Sequence, residues 1–466
     1  MRLRQKIDFT IQVFKSILYT FQSGINLFTL LKSIRKAKDS YLNDGNRTIT
    51  YAALYDETCL TIKKLKIVPK NQLSSRVILI ADNSFNFISY LFALSALSKE
   101  VIIMSSELSD FQLEKILENY PQVLMLTDNK DRLENLHTKS LIYSFAEINA
   151  CVINKASHKI RRNNGKITIL STGSSNIPKP IERKLNISKI WSPFTELISK
   201  LGLLNYSSTF ITVPFYHGYG LASLILALFL KHKLHFITKF SAKCITQFTN
   251  NRIDCLVLLP SMIPKFIEID QNALGLFRCI ISGADKLEAT WVSFMLKHYS
   301  DTKIFNLYGT TELGICSIAT HADLTENNHT IGRFLKGIEY QMQIDHQLIV
   351  RCPWIYDQSK NQYLSTGDRI QQDKNGLLYY LGRVNPSVNI GGEIIHFGEL
   401  EEKINGYEAI ADARIHVYKN EIMISELNLE LTLKKDATFN ETEFRNWLTT
   451  TFPKYLQPKS LYYNSK

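Results

Sequence analysis

The sequence predicts an α/β fold with parallel sheets, followed by a β-rich appendage and a small α+β unit. Three observations predict it. First, short β-branched runs alternate with helix-period segments: Val77-Ile78-Leu79-Ile80, Val101-Ile102-Ile103 and Val123-Leu124-Met125-Leu126 are separated by 85–98 and 109–119, the strand–helix rhythm of parallel sheets. It returns at Phe210-Ile211-Thr212-Val213, Leu234-His235-Phe236-Ile237, Leu256-Val257-Leu258-Leu259 and Ile280-Ile281. Second, from about residue 338 the texture becomes short strands with turns, at 339–344, 348–350 and 377–381. Third, residues 386–466 read as strands near 413–418 and 427–433 and a helix over 440–450, after the bend Gly391-Gly392. The predicted domains are a helical segment 1–39, a large domain 40–384 and a lid 385–466, with the boundary near Gly382–Pro386.

A chain of 466 residues is too long for one small core. Hydrophobic residues at 45% and charged residues at 21% exclude extensive disorder. The seven cysteines, at 59, 151, 244, 255, 279, 316 and 352, are odd in number and form no C-x-x-C pair. That argues against a disulfide framework and a structural zinc, and suits a reducing cytoplasm. Cys316 has no adjacent base and reads as a small apolar residue.

The net charge is +12, and half of it is local. Residues 1–39 hold eight cations (Arg2, Arg4, Lys6, Lys15, Lys32, Arg35, Lys36, Lys38) against Asp8 and Asp39, leaving +6. Without a stripe of Arg and aromatics along a sheet or recognition helix, no nucleic-acid partner is expected. In the same segment Phe9, Val13, Ile17, Phe21, Ile25 and Phe28 recur at helical spacing. No run of 18 apolar residues appears, so a spanning helix is excluded, and the pattern is not that of a signal peptide. Two readings stay open: an amphipathic helix packed on the body, or a peripheral membrane or partner helix.

Three segments carry chemistry. Ser171-Thr172-Gly173-Ser174-Ser175-Asn176-Ile177-Pro178-Lys179 follows the strand-like 167–170; its hydroxyls, backbone N–H groups and one cation can surround a polyphosphate. It lacks the G-x-x-x-x-G-K-[ST] spacing of a nucleoside triphosphatase loop. Asn306-Leu307-Tyr308-Gly309-Thr310-Thr311-Glu312-Leu313-Gly314 joins an aromatic, a glycine, hydroxyls and a carboxylate able to hold Mg²⁺; the alternative for Glu312 is a carboxylate stabilising a helix N-terminus. Ser365-Thr366-Gly367-Asp368, with Gly382-Arg383 beyond, places a carboxylate on a tight turn, where it can accept both ribose hydroxyl protons beside a guanidinium. An ordinary Asp-capped turn is the alternative.

The order and spacing of these segments resemble the AMP-forming adenylating superfamily: acyl- and aryl-CoA synthetases, peptide-synthetase adenylation domains and luciferases. Pro214-Phe215-Tyr216-His217-Gly218-Tyr219-Gly220 matches its Pro-x-x-His-x-x-Gly segment, Ser282-Gly283-Ala284 its Ser-Gly-Ala segment, and 308–312 its Tyr-Gly-x-Thr-Glu. Thr50–Leu54 and Ala81–Ser84 show weaker likeness, and the match runs from about residue 45 to the end. The resemblance implies two α/β lobes plus a β-rich subdomain under a mobile α+β lid. It implies an AMP-forming ligase that activates a carboxylic acid with ATP and Mg²⁺ and passes it to CoA or a phosphopantetheinyl acyl carrier protein. By the same resemblance Thr172, Gly173, Ser174, Ser175 and Lys179 bind phosphate. Thr311 and Glu312 hold the metal and α-phosphate, Asp368 and Arg383 clamp ribose, and Gly283, Ala284, Tyr308 and Gly309 flank adenine. His217 borders the carboxylate pocket, and Asn385 takes the hinge position.

Three departures stand out. Ser175-Asn176 replaces the family's Thr-Gly, a mild change because Asn tolerates the left-handed region. Asn385-Pro386 replaces the hinge carboxylate, and a proline restricts rotation. No Gly-Lys pair follows Phe452, so the expectation is slow adenylation, since one preorganised charge is typically worth about 10²–10³ in rate. Phe215, Tyr216 and Tyr219 lean toward an aryl or medium-chain acid. The alternative class is a catalytically impaired AMP- or adenylate-binding homologue with a regulatory or scaffolding role.

Overall fold

The structure, a computed structural model, describes residues 3–68, 74–133, 136–152, 162–172, 178–182, 187–249, 251–352, 363–384, 387–390, 393–419, 425–434, 437–453 and 456–465. The chain opens with two helices, α1 (Leu3–Ser23) and α2 (Leu27–Ile34). Gly24 separates them at a positive φ of 86°, and the Asn26 side chain caps α2 by accepting from Thr29 N at 2.9 Å. The predicted apolar stripe does not share one environment. Phe9 packs edge-on to Phe229 at 6.0 Å and Phe28 is buried, whereas Ile17, Phe21 and Ile25 are exposed.

Two sheets follow. The first has six strands in the order Leu141–Ser144, Leu124–Thr127, Arg76–Ile80, Glu100–Met104, Lys166–Thr172 and Pro178–Glu182; all neighbours are parallel except the last pair. The second has thirteen strands. Its parallel half runs from Tyr41–Asn43 through Lys233–Phe236, Ser208–Ile211, Cys255–Leu258 and Cys279–Gly283 to Lys303–Thr310. The β-rich part is hydrogen-bonded onto this sheet through Gly314–Ala319, Thr330–Phe334 and Leu378–Arg383, so appendage and lobe share one continuous ladder.

The parallel strands are apolar on both faces because helices cover both. Along Arg76–Ile80, Val77 and Leu79 join a core shared with Ile211, Val213, Val257 and Ile281 of the other sheet; Ile78 and Ile80 face an outer cluster with Leu113 and Ile116. The helix Phe85–Ala96 lies in the shared core with every residue but Asn86 buried. A helix apolar all round has to be interior, and this one is sandwiched between the sheets. The result is a five-layer αβαβα stack with a single central core.

The last part has its own core. Strands Ile410–Lys419, Ser425–Leu433 and Ser460–Ser465 form a sheet packed on Phe397–Asn405 and Glu441–Thr451 around Phe444, Leu448 and Leu431. It rests on the first lobe: Ser109 Oγ donates to Thr451 O at 3.1 Å, and Lys403 Nζ stands 3.1 Å from the centre of the Phe111 ring.

Candidate active site at the ends of the parallel strands

In open α/β sheets, ligands bind beyond the carboxyl ends of the strands. The residues singled out from sequence lie there. Lys303–Thr310 ends in Tyr308 and Gly309, and neighbouring Cys279–Gly283 ends in Gly283, with Gly283 opposite Leu307. The shape of this edge is set by small residues. A Cβ on Gly309 would fall 2.0 Å from Gly314 O at a bulge between Tyr308 and Gly309. Ala284 adopts a positive φ of 65°, a strained conformation of the kind that clusters at functional sites.

Tyr308, Asp368 and Arg383 meet directly. The Tyr308 hydroxyl donates to Asp368 Oδ2 at 2.7 Å, and Arg383 Nε stands 2.8 Å from Asp368 Oδ1. Asp368 is not on an isolated tight turn, as the sequence predicted. It lies within the strand Leu364–Gln372, directly opposite Arg383 on Leu378–Arg383. Gly367, at φ 72°, supplies the local kink, and a Cβ there would sit 3.1 Å from Arg383 Nη1. Thr366 Oγ1 donates to Leu348 O and accepts from Asp368 N.

Burial raises the Asp368 carboxyl above the ordinary aspartate value; Arg383 and the Tyr308 hydroxyl oppose it, and Glu312 adds to it. Burial, then Asp368, pushes the Tyr308 phenol far up, so it stays a donor. Tyr380, which sequence reasoning missed, is raised to about 12 by burial and Asp368, with Arg383 opposing.

Glu312 is exposed, in the turn between Lys303–Thr310 and Gly314–Ala319. No helix begins there, which removes the helix-dipole alternative. Leu313 N donates to Thr310 Oγ1 at 3.2 Å and closes the turn; Thr311 is half-buried beside Glu312. Among the described residues no group of three or more His, Cys, Asp or Glu is placed to hold a metal. A magnesium ion at Glu312 would therefore draw most of its ligands from phosphate oxygens and water, as that ion ordinarily does.

His217 precedes the helix Gly218–Phe229, half-buried, its ring 4.6 Å from that of Tyr216. Two residues on, the Tyr219 hydroxyl donates to Ile281 O at 2.9 Å, and a Cβ on Gly283 would lie 3.3 Å from the Tyr219 ring. Tyr219 is therefore the residue of this segment that reaches the Gly283 edge. Gly220 allows the turn, because a Cβ there would meet Pro214 O at 2.1 Å. Phe215 is a correction: it is fully buried against Phe87 and Phe236, so it belongs to the core and drops out of the case for an aryl or medium-chain acid.

Thr172 pairs with Pro178 and Ser171 with Lys179 across an antiparallel ladder; the side chains of Thr172 and Lys179 lie outside the described set, as do Gly173, Ser174, Ser175 and Asn385. Asn83, noticed in the sequence only as part of a faint match, buttresses the site. Its amide donates to Val213 O and Ile237 O and accepts from Phe215 N, tying the two lobes together beneath Pro214. Its only signal was its place just past a predicted strand.

Two buried polar atoms at the sheet edge, Ser282 Oγ and Asn306 Oδ1, have no hydrogen-bond partner among the described residues. They lie opposite each other in register, flanked by Gly283 and Tyr308. Buried polar groups are ordinarily paired, so the edge holds polar capacity that fits a nucleotide base better than an apolar ligand.

The chain is thus a two-lobed α/β body with a clamped carboxylate at the ends of its parallel strands and a small C-terminal α+β part. The AMP-binding enzyme family model matches residues 187–347. A 2-succinylbenzoate–CoA ligase of Lactococcus lactis is 24% identical over 439 residues, spanning 90% of this chain and 92% of its own. The o-succinylbenzoate CoA synthetase of Bacillus subtilis, solved with a product analogue, superposes with a TM-score of 0.79 at 17% identity, over 94% and 95% of the two chains. An artificially fused adenylation and carrier di-domain protein from Klebsiella oxytoca gives 0.76 at 16% identity, over 94% and 93%. Residues 187–347 thus match the AMP-binding enzyme family, and over nearly its whole length the chain is similar in sequence and fold to acyl- and aryl-CoA ligases.

Proposed function

We propose that the protein joins an aryl carboxylic acid to a thiol, by way of an acyl-adenylate formed from ATP with Mg²⁺. The observation that carries this reading is the cluster of buried Asp368 with half-buried Tyr308 and Arg383 at the carboxyl ends of the parallel strands. Relatives supply the chemistry by likeness: the L. lactis protein is a 2-succinylbenzoate–CoA ligase, and the B. subtilis synthetase has been solved with ATP and a magnesium ion. Tyr219 at the site edge favours an aryl acid over a charged one.

In this reading Asp368 accepts the two ribose hydroxyl protons while Arg383 holds its charge in place. Tyr308, Gly283, Ala284 and Gly309 form the slot for the base. Thr311 and Glu312 hold the metal, which when bound neutralises phosphate charge. Thr172, Gly173, Ser174, Ser175 and Lys179 hold the outgoing phosphates, and His217 orients the acid. Little covalent work falls to the protein; alignment of two reactants and charge stabilisation carry most of the rate. The lid, from residue 385 on with Asn385 as its pivot, turns between the half-reactions and admits CoA or a phosphopantetheinyl carrier.

The test is ATP–pyrophosphate exchange against a panel of aryl, fatty and amino acids. Exchange with an aryl acid that falls roughly 10²-fold in Glu312→Ala supports the assignment. Nucleotide binding by calorimetry with no exchange for any acid overturns it in favour of a non-catalytic adenylate binder.

A further inference from the structure

α1 turns a mixed face to the body. Phe9 packs on the core beside Phe229, while buried Gln12 donates Nε2 to Ser33 Oγ at 3.2 Å and to Ser16 Oγ at 3.4 Å, and the two serine hydroxyls are 3.3 Å apart. Its outward side is apolar. Ile11, Phe14, Ile17, Leu18, Phe21 and Ile25 are all exposed, Phe14 at 71% and Phe21 at 69%. Positions 11, 14, 18 and 21 advance by three and four, so they form one stripe along the helix, and Ile25 stands exposed just beyond its end. Its area is on the order of 600 Å², at the upper end of what a soluble monomer leaves bare.

The position of α1 narrows what covers the stripe. Ser23 O and Ile25 O accept from Asn163 N and Gly165 N, just before the strand Lys166–Thr172, and Leu27 N donates to Ser95 Oγ, near the end of Phe85–Ala96. These contacts lie at the end of the sheets opposite the active site, roughly 20 Å away by strand rise. An occupant there fixes where the enzyme sits and does not deliver a thiol. Charge narrows it further. Residues 1–39 carry a net +6, and Lys15, Lys36 and Lys38 are exposed. A second copy would bring two such segments together against their repulsion, whereas an anionic surface complements both charge and stripe.

We propose that α1 docks the protein onto a bilayer surface rich in anionic phospholipid, lying in the interface plane with the Ile11–Phe21 stripe sunk to the acyl boundary. The active site then faces away from the bilayer. It is a surface contact: among the described residues no helix is long and apolar enough to cross a membrane.

The full chain should co-sediment with vesicles of phosphatidylglycerol and phosphatidylcholine, about tenfold less with phosphatidylcholine alone, and less again at raised salt. Phe14→Ser combined with Phe21→Ser should reduce the partition by about tenfold or more with an unchanged circular-dichroism melt, since neither ring reaches the core. A full chain that stays in the supernatant with anionic vesicles overturns the proposal. A dimer in sedimentation velocity that the double variant splits, without vesicle binding, assigns the stripe to a second copy instead.

Discussion

Asp368 is 2% exposed and faces Arg383 and Tyr308 where water screens little. Removing Asp368 leaves the Tyr308 hydroxyl and the half-buried Arg383 guanidinium without their partner. Asp368→Ala should therefore cost about 1–3 kcal/mol in urea unfolding and weaken nucleotide binding by about tenfold or more, read by calorimetry. The carboxyl's raised value adds a pH signature. A carboxyl raised in the folded state binds more protons there than in the unfolded chain. It contributes stability at low pH that is lost as pH rises through its folded value. The ribose contact proposed for Asp368 needs the ionised form, so the acid limb of nucleotide affinity should lie above the ordinary aspartate range and vanish in Asp368→Ala. A limb at the ordinary value would mean that Asp368 does not govern it.

At the scale of elements, the turn after Lys303–Thr310 and the seat of the C-terminal α+β part, the proposed lid, each depend on one residue. Gly309→Ala would place a methyl about 2.0 Å from Gly314 O. The hairpin must open and carry Glu312 with it, so pyrophosphate exchange should fall about 10²-fold with a thermal midpoint lowered by only a few degrees. Lys403 lies over Phe111 and Phe452; burial, then Lys115, lowers it to about 8 from 10.5. The docked state therefore binds fewer protons than the free one between those values. Lid docking should tighten as pH rises from about 8 toward 10.5 and stay level below 8. Hydrogen exchange over Glu441–Thr451 reads this, and Lys403→Met should abolish the dependence while leaving docking intact.

Across the whole molecule, one core spans both sheets, and the Asn83 amide is a buried polar stitch between them. Asn83→Ala strands a buried N–H and two carbonyls, each costing about 1–3 kcal/mol when unsatisfied. We expect a loss of about 3 kcal/mol and a lowered midpoint for both lobes together, measured by calorimetry. Separate transitions, with only one lobe affected, would show that the central core does not couple them. The alternation of strand and helix was plain in the sequence because parallel strands buried on both faces are continuous apolar runs. The joining of the β-rich part to the second sheet was not, because edge pairing leaves no mark on local periodicity.

The sequence by itself determined the fold class, the order of the site segments and the basic character of residues 1–39. These rest on composition and spacing, which any fold of this chain must respect. Only the tertiary structure decided that Asp368 and Arg383 stand opposite each other across a ladder, and that Phe215 is core and not pocket. It also decided which side of α1 faces the body. A helical stripe says that an apolar face exists; what lies against it depends on residues far away in the chain. Here those residues offered Ser33 to Gln12 and Phe229 to Phe9, and left Phe14 and Phe21 outside.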